Sequence, residues 1–414
     1  MSVPALRFKD EAGEDFPDWE AKKIGDFILS HKGGAPLKPS DFVKYGDFEV
    51  IPKKAISSGG YLKLDETEPT YCSGDFFEAN QRSVVDSSYL IITLLDLVPS
   101  GPSIGYIVKY TSNKKYILAQ GVYGIQIDEK LINDFLTQYS NTDNYRVLMQ
   151  TMMVGSTQVH IRNSDFFQTP FSVPCFKEQT KIANLLTAVD EKITHLTQKH
   201  DLLTQYKKGV MQQIFSHSKE RSDCTVTYPR GISQELRFKD DDGQDFPEWE
   251  EAGFDELFYV ANNKKTQIKS SDYLEQGNTP IVDQGQKHIV GYTNNTEIYK
   301  DVPVIIFGDH TRILKWIDFV FASGADGTQV LKSTDKLNLK FGYYTLCHIE
   351  LPNLGYSRHM KELKNQFIII PTSIVEQTKI ANFLTAIDDK ITATQTQLQA
   401  VKQYKQGLLQ QMFV

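Results

Sequence analysis

Two blocks of this chain each occur twice, and that duplication constrains the fold more than any other feature. The first block reads LRFKDEAGEDFPDWE from Leu6 to Glu20 and LRFKDDDGQDFPEWE from Leu236 to Glu250, identical at 11 of 15 positions. The second runs from Glu178 to Phe215 and again from Glu376 to Phe413, identical at 21 of 38 positions and opening on EQTKIAN both times. The stretches between them, Ala21 to Lys177 and Glu251 to Val375, differ in length (157 and 125 residues) and barely match. A chain built this way is a tandem duplication of a unit of about 200 residues. Its frame holds geometry, and its two diverged inserts hold whatever differs between the halves.

The second block predicts a long helix in each half. Ile182, Leu186, Val189, Ile193, Leu196, Leu203, Val210 and Ile214 fall on an alternating four-three spacing, with His200 and Lys207 as polar members. Ile380, Leu384, Ile387, Ile391, Thr394, Leu398, Val401, Lys405, Leu408 and Met412 repeat it. A period of 3.5 is that of a coiled-coil seam. At 1.5 Å per residue each helix extends about 57 Å. Antiparallel pairing within the chain benefits from high effective concentration, with pairing between chains as the competing arrangement.

The inserts read as mixed sheet domains. Tyr89–Leu95, Gly105–Tyr110, Val304–Phe307, Phe319–Ala322 and Gln366–Ile370 are short, rich in β-branched and aromatic residues, and set among Gly, Asn, Asp, Ser and Pro. The expected organisation is therefore α+β: two mixed α/β domains separated by two long antiparallel coiled-coil helices, with an internal pseudo-two-fold duplication. Its boundaries are 1–177 for the first domain, 178–215 for the central helix, 216–235 for a polar linker, 236–375 for the second domain and 376–414 for the C-terminal helix.

Hydrophobic residues at 40% support packed cores. The most apolar run, Tyr89–Val98, is far short of the roughly 18 residues a spanning helix needs. The first residues lack the apolar centre of a secretory signal, so a cytoplasmic protein is expected. Cys72, Cys175, Cys224 and Cys347 lie too far apart in sequence to make a CxxC pair, and no metal site is expected. The net charge of −7 argues on its face against nucleic acid. However, residues 1–27 and 230–257 together carry −10, leaving +3 for the rest of the chain. A basic groove elsewhere stays compatible with the composition.

Motifs for catalysis are mostly missing. There is no GxxxxGK[ST] phosphate loop, no glycine-rich methyl-donor loop and no (N/D)PP(Y/F) tetrapeptide. Gly101-Pro102-Ser103-Ile104-Gly105 fits the letters of a nucleophile elbow, but Pro102 and the strand-like IGYIVKY that follows favour a loop between strands. Asp190-Glu191-Lys192 and Asp388-Asp389-Lys390 resemble the end of a nuclease site, yet they fall mid-helix beside the seam and read as a solvated face. No catalytic residue is assigned.

What remains are polar, basic and aromatic loops of the kind that read base edges and hold phosphates. In the first insert these are Lys53, Lys54, Ser57, Ser58, Asn80, Gln81, Arg82, Lys114, Lys115, Gln158, His160 and Arg162. In the second they are Asn262, Asn263, Lys264, Lys265, Gln284, Gln286, Lys287, His288, His310, Thr311, Arg312, Thr328, Gln329, Ser357, Arg358 and His359. Arg and Lys can bond guanine, Asn and Gln can bond adenine, and the remaining cations can take phosphates. The repeated Trp19 and Trp249, with the repeated Tyr206, Lys207, Tyr404 and Lys405, are candidates for partner contacts or for internal packing and register.

Taken as a set, the paired EQTKIANLLTAVDEKI and EQTKIANFLTAIDDKI helix starts, the paired DFPDWE and DFPEWE boxes and the GSTQVHI run at Gly155–Ile161 carry a resemblance. GYSRHMK at Gly355–Lys361 is a weaker counterpart of that run, without its Thr-Gln pair. The chain resembles the DNA-specificity subunit of Type I restriction-modification systems along essentially its whole length. The resemblance implies a non-catalytic subunit whose two recognition domains each read half of a bipartite double-stranded DNA target, with the helices setting the spacing. It further implies two methyltransferase subunits using S-adenosylmethionine, and restriction/translocase subunits using ATP and Mg. No cofactor is expected in this chain. The residues alone leave two other readings open, a coiled-coil adaptor whose variable domains bind proteins and a nuclease without a recognisable motif.

Overall fold

The computed structural model describes residues 4–57, 59–64, 67–110, 112–215, 236–355 and 357–413. The expected linker at 216–235 and the candidate Ser58 lie outside them. Compactness divides the chain into two units, Met1–Gln198 with Thr396–Val414, and Lys199–Gln395. This division cuts both long helices, so each unit contains one insert and a piece of each helix.

The long helices span Phe176–Phe215 and Ile374–Met412, each beginning two residues before the repeated block. The second starts where the Ser373 hydroxyl accepts from the Glu376 backbone N–H, 3.4 Å away. In the first unit Ile182, Leu186 and Val189 of one helix share a core with Leu408, Leu409, Met412 and Phe413 of the other, so the pieces run antiparallel. In the second unit Val210, Ile214 and Phe215 meet Ile380, Leu384 and Ile387 in the same sense. The expected seam is the buried face in both cases.

Each insert is built around the same four-stranded antiparallel sheet. Its order is Ile28–Gly33, Val122–Ile127, Leu90–Thr93, Ile107–Lys109 in the first unit and Phe258–Val260, Thr328–Ser333, Val304–Gly308, Leu314–Ile317 in the second. In chain order both read first, fourth, second, third. A second small sheet accompanies each, with a parallel pair at Val50–Ile51/Tyr116–Leu118 and at Gln267–Ile268/Ala322–Gly324. A two-stranded antiparallel ribbon closes each insert, Glu20–Lys23 with Pro170–Val173 and Trp249–Gly253 with Phe367–Pro371. The inserts that barely match in sequence are thus two versions of one fold.

Four of the five expected strands form with ends shifted by one or a few residues. The fifth, Phe319–Ala322, forms a strand only from Ala322, because Phe321 is taken up by an isolated bridge to Tyr299. The Gly101–Gly105 stretch is the loop between Leu95–Asp96 and Ile107–Lys109, and its Ser103 hydroxyl donates to Asp96 at 2.7 Å.

The repeated blocks meet each other. Arg7 donates from Nε and Nη2 to the Glu178 carboxylate at 3.0 and 2.7 Å, and the Trp19 indole N–H donates to the same group at 3.2 Å. The same contacts recur as Arg237 to Glu376 at 3.3 Å and Trp249 to Glu376 at 3.2 Å. The neighbouring glutamines act as three-way clips. Gln179 accepts from Ile132 N–H and donates to the Lys130 and Pro174 carbonyls; Gln377 accepts from Asn338 N–H and donates to Lys336 and Pro371. Glu178 and Glu376 are fully buried, and a buried carboxylate is tolerable only when its charge and lone pairs are met. The identity of box and helix start follows: each box supplies what the first helical turn needs.

Candidate nucleic-acid interface

In the first unit Ala55 and Ile56 are buried in the core and pin the short turn Lys53–Ala55, which leaves Lys54 exposed. Lys53 lies lower, with its stem against Gly121, where an added Cβ would sit 3.0 Å from Lys53 Cε. Burial lowers its pKa, with Asp96 opposing. Asp96 belongs to the strand that pairs antiparallel with Val159–His160. Along that second strand Val159 and Ile161 are buried, whereas Gln158, His160 and Arg162 are exposed. Two clusters a hundred residues apart in sequence are thereby joined around Leu95–Asp96.

Asn80 and Gln81 cap their own short helix, each donating a side-chain amide to a carbonyl four residues back, Phe76 and Phe77. One amide N–H of each is thereby used by the fold; Asn80 is half-buried, while Gln81 and Arg82 stay exposed. Lys114 and Lys115 are exposed on the loop before Tyr116–Leu118, where Lys115 helps hold Asp86 below its ordinary pKa behind the larger effect of Ser88. Ser57 is half-buried, two residues after the Lys53–Ala55 turn.

The second unit gathers its candidates more tightly. Gln284 accepts from His310 N–H at 3.0 Å, and the Thr311 hydroxyl donates to the Gln284 carbonyl at 2.5 Å. Gly327, at φ +63°, faces the Gln284 amide so closely that a Cβ there would lie 2.5 Å from Oε1. Only glycine leaves that room. Asp309 N–H donates to the Gly327 carbonyl, and His359 N–H donates to the Asp309 carbonyl. The ends of four loops, near residues 284, 309, 327 and 359, therefore converge. Arg312, at φ +62°, anchors the turn by donating to Leu351 O at 2.9 Å.

Exposed around this cluster are Gln286, Lys287, His288, Thr311, Ser357 and Arg358. His288 stands edge-on to Phe319, and partial burial followed by the nearby Lys315 ammonium holds it below the usual histidine range against the pull of Asp318. It is therefore suited to neutral hydrogen bonding with a base edge. Lys264 and Lys265 are exposed on a turn that Asn263 caps through Lys265 N–H. Asn262 uses both ends of its amide internally, accepting from Val330 N–H and donating to Gln329, which leaves it holding Gln329 in place.

Several assignments are corrected by burial. His359 is fully buried, with Nδ1 on the Asp309 carbonyl and Nε2 facing Leu354 N–H, so it cannot reach a base. Thr328 is only 3% exposed and is equally out of reach. Trp19 is buried and Trp249 half-buried, and both donate to the helix-start glutamates, so they are packing residues, not partner contacts. Lys405 and Lys207 are spent on ion pairs at 2.6 Å with Asp190 and Asp388. The two aspartates are thus no solvated face: Asp190 also accepts from Gln138 and Asp388 from Tyr344. Of the six proposed partner contacts, Tyr206 and Tyr404 remain largely exposed.

Sequence reasoning missed Arg7, Glu178, Gln179, Asp96, Asp309 and Lys315. The first three had a signal, since the box and EQ pair recur together in both halves. Asp96 and Asp309 had none, because an aspartate after an apolar strand reads as an ordinary turn residue. Among the described residues no group of three or more His, Cys, Asp or Glu is placed to hold a metal, and no helix is long and apolar enough to cross a membrane.

These features define a duplicated frame presenting two related but differently lined loop surfaces. The family model described as Type I restriction modification DNA specificity domain matches residues 17–205 and 247–403, and the chain belongs to that family. It is similar to the Type I restriction enzyme MjaVIII specificity subunit of Methanocaldococcus jannaschii, at 23% identity over 65% of this chain and 56% of that protein. This match thus spans little more than half of the relative's length. The Type I restriction enzyme MjaIX specificity subunit of the same organism is 19% identical over 97% of this chain and 94% of that one. A crystal structure of a Type-I restriction-modification system S subunit from M. genitalium shares the fold, with a TM-score of 0.64, 16% identity and coverage of 100% and 99%.

Proposed function

We propose that this chain is the sequence-specific DNA-binding subunit of a Type I restriction-modification complex, each unit reading one half of a bipartite target. The observation that carries the reading is the pairing of one sheet architecture, present twice, with two different sets of exposed polar and basic side chains. Identical readers would suit a symmetric target, whereas these two suit an asymmetric one. Arg82, Lys54, Lys114, Lys115, Arg162, Lys264, Lys265, Lys287 and Arg358 are the cations suited to phosphates or guanine, and the exposed Gln158 and Gln286 suit adenine. The length of the helices then sets the gap between half-sites, which must follow the roughly 34 Å turn of the duplex.

On this reading the chain is non-catalytic and carries no cofactor. Methyl transfer with S-adenosylmethionine and ATP- and Mg-dependent cleavage belong to two methyltransferase subunits and to restriction/translocase subunits. Target adenines are flipped into pockets outside this chain. Co-expression with a methyltransferase subunit in a host free of adenine methylation, followed by single-molecule sequencing, tests it. A split motif methylated on both strands with a fixed gap is expected. Co-purification without any methylated motif would remove the DNA-reading assignment of the inserts.

A further inference from the structure

Lys315 stands out among the charged groups of the second unit. It lies on the edge strand Leu314–Ile317, where it alternates onto the same side as buried Ile317, and its side chain is only 5% exposed. Burying an ammonium is costly unless its donors are met. Here it donates to the carbonyls of Asp283 at 2.7 Å and Lys287 at 2.6 Å, with the Asp283 carboxylate 3.8 Å away. Those carbonyls are the two ends of the loop that carries Gln284 and Gln286 and leads into His288. One buried cation thus fixes both ends of a reading loop.

The other side of the loop is held just as firmly. The Thr311 hydroxyl and His310 N–H bond Gln284, while Asp309, 2% exposed, accepts from Met360 N–H at 2.7 Å. The buried His359 ring then ties the Asp309 carbonyl to the Leu354 backbone. Nothing in the apolar packing of the unit calls for a lysine, an aspartate and a histidine beneath one surface. An alkyl side chain at 315 would fill the same space beside Ile317 without the desolvation cost.

We propose that Lys315, with Asp309 and His359, forms a buried brace that presets the reading loops of the second unit, making Lys315 a positioning residue for recognition of the second half-site. It rests on the DNA-reading function proposed above. A site whose polar groups are prearranged discriminates by leaving mismatched groups unpaired, so slackening the loop flattens base preference without removing any side chain that touches a base. The first unit lacks this lysine and serves as an internal control.

The test uses the full-length chain in complex with its methyltransferase subunit. Lys315→Met keeps the length and removes the charge. Single-molecule sequencing of methylated DNA is expected to show about tenfold weaker discrimination at one or more positions of the second half-site, with the first half-site and the gap unchanged. Amide exchange at residues 283–288 is expected to rise in parallel. Should Lys315→Met fail to fold, the exposed Thr311 decides: Thr311→Val should raise exchange at 283–288 and Thr311→Ser should restore it. Unchanged second-site preference or unchanged exchange in folded Lys315→Met, equal loosening of both half-sites, or, where Lys315→Met does not fold, unchanged exchange in Thr311→Val overturns the brace. A wild-type complex that methylates nothing sinks the DNA-reading function instead, and exchange at 283–288 still reports on the brace.

Discussion

At the scale of single residues, the structure separates side chains that hold the fold from side chains that face outward, and the duplication provides a control for each. Arg7 meets the fully buried Glu178 through two short bonds, whereas Arg237 reaches Glu376 through one nitrogen at 3.3 and 3.5 Å. Removing the cation strands a buried carboxylate, so Arg7→Ala is expected to cost about 3 kcal/mol, with Arg237→Ala costing less. Thermal unfolding of the two variants checks the order; equal shifts would contradict it. Asp96 gives a pH test. Burial alone would raise its pKa, but the Ser103 hydroxyl and the Ser103, Val98 and Leu97 backbone N–H groups together hold it below the ordinary carboxylate value. Its folded pKa is depressed, so its stabilisation is full above the unfolded value of about 3.9 and is lost as pH falls through the folded one. Amide protection of residues 97–103 should therefore fall below about pH 4, and Asp96→Asn should flatten that dependence.

At the scale of elements, the helix periodicity correctly located the seam and left the two seam lysines ambiguous. Each finds its aspartate because the helices run antiparallel, an arrangement that brings Lys405 to Asp190 and Lys207 to Asp388. The pairs are partly screened, with side-chain exposures of 11% and 19% for the first and 23% and 34% for the second. Lys405→Met should therefore lower stability more than Lys207→Met, each by about 1–2 kcal/mol. Exchanging the charges, Lys405→Asp with Asp190→Lys, should recover part of the loss that either single change causes, as a thermal-shift cycle would reveal. The strands were legible as short apolar runs. Their order was not, because sheet neighbours such as Leu90–Thr93 and Val122–Ile127 are joined by hydrogen bonds that leave no mark on either segment.

At the scale of the whole molecule, only +3 of charge lies outside residues 1–27 and 230–257, so DNA binding by this chain alone should be weak and become tight once partner subunits enclose the duplex. Fluorescence anisotropy over a salt series measures this. Nanomolar affinity of the isolated chain for nonspecific DNA would refute it. In the complex, affinity should fall linearly on logarithmic axes, by about 0.9 per phosphate contacted.

Sequence by itself determined the duplication, the two long helices and their buried face, because repeats and periodicity are properties of order along a chain. It also placed the loop candidates, of which Gln158, His160, Arg162, Lys287 and Arg358 are indeed exposed. Only the tertiary structure decided that the two inserts share one sheet topology, that the box clasps the helix start, and that His359 and Thr328 are buried. The physical reason is the same each time. Burial and long-range hydrogen bonding depend on which distant segments meet, and a polar residue looks alike in sequence whether it faces solvent or braces a loop from beneath.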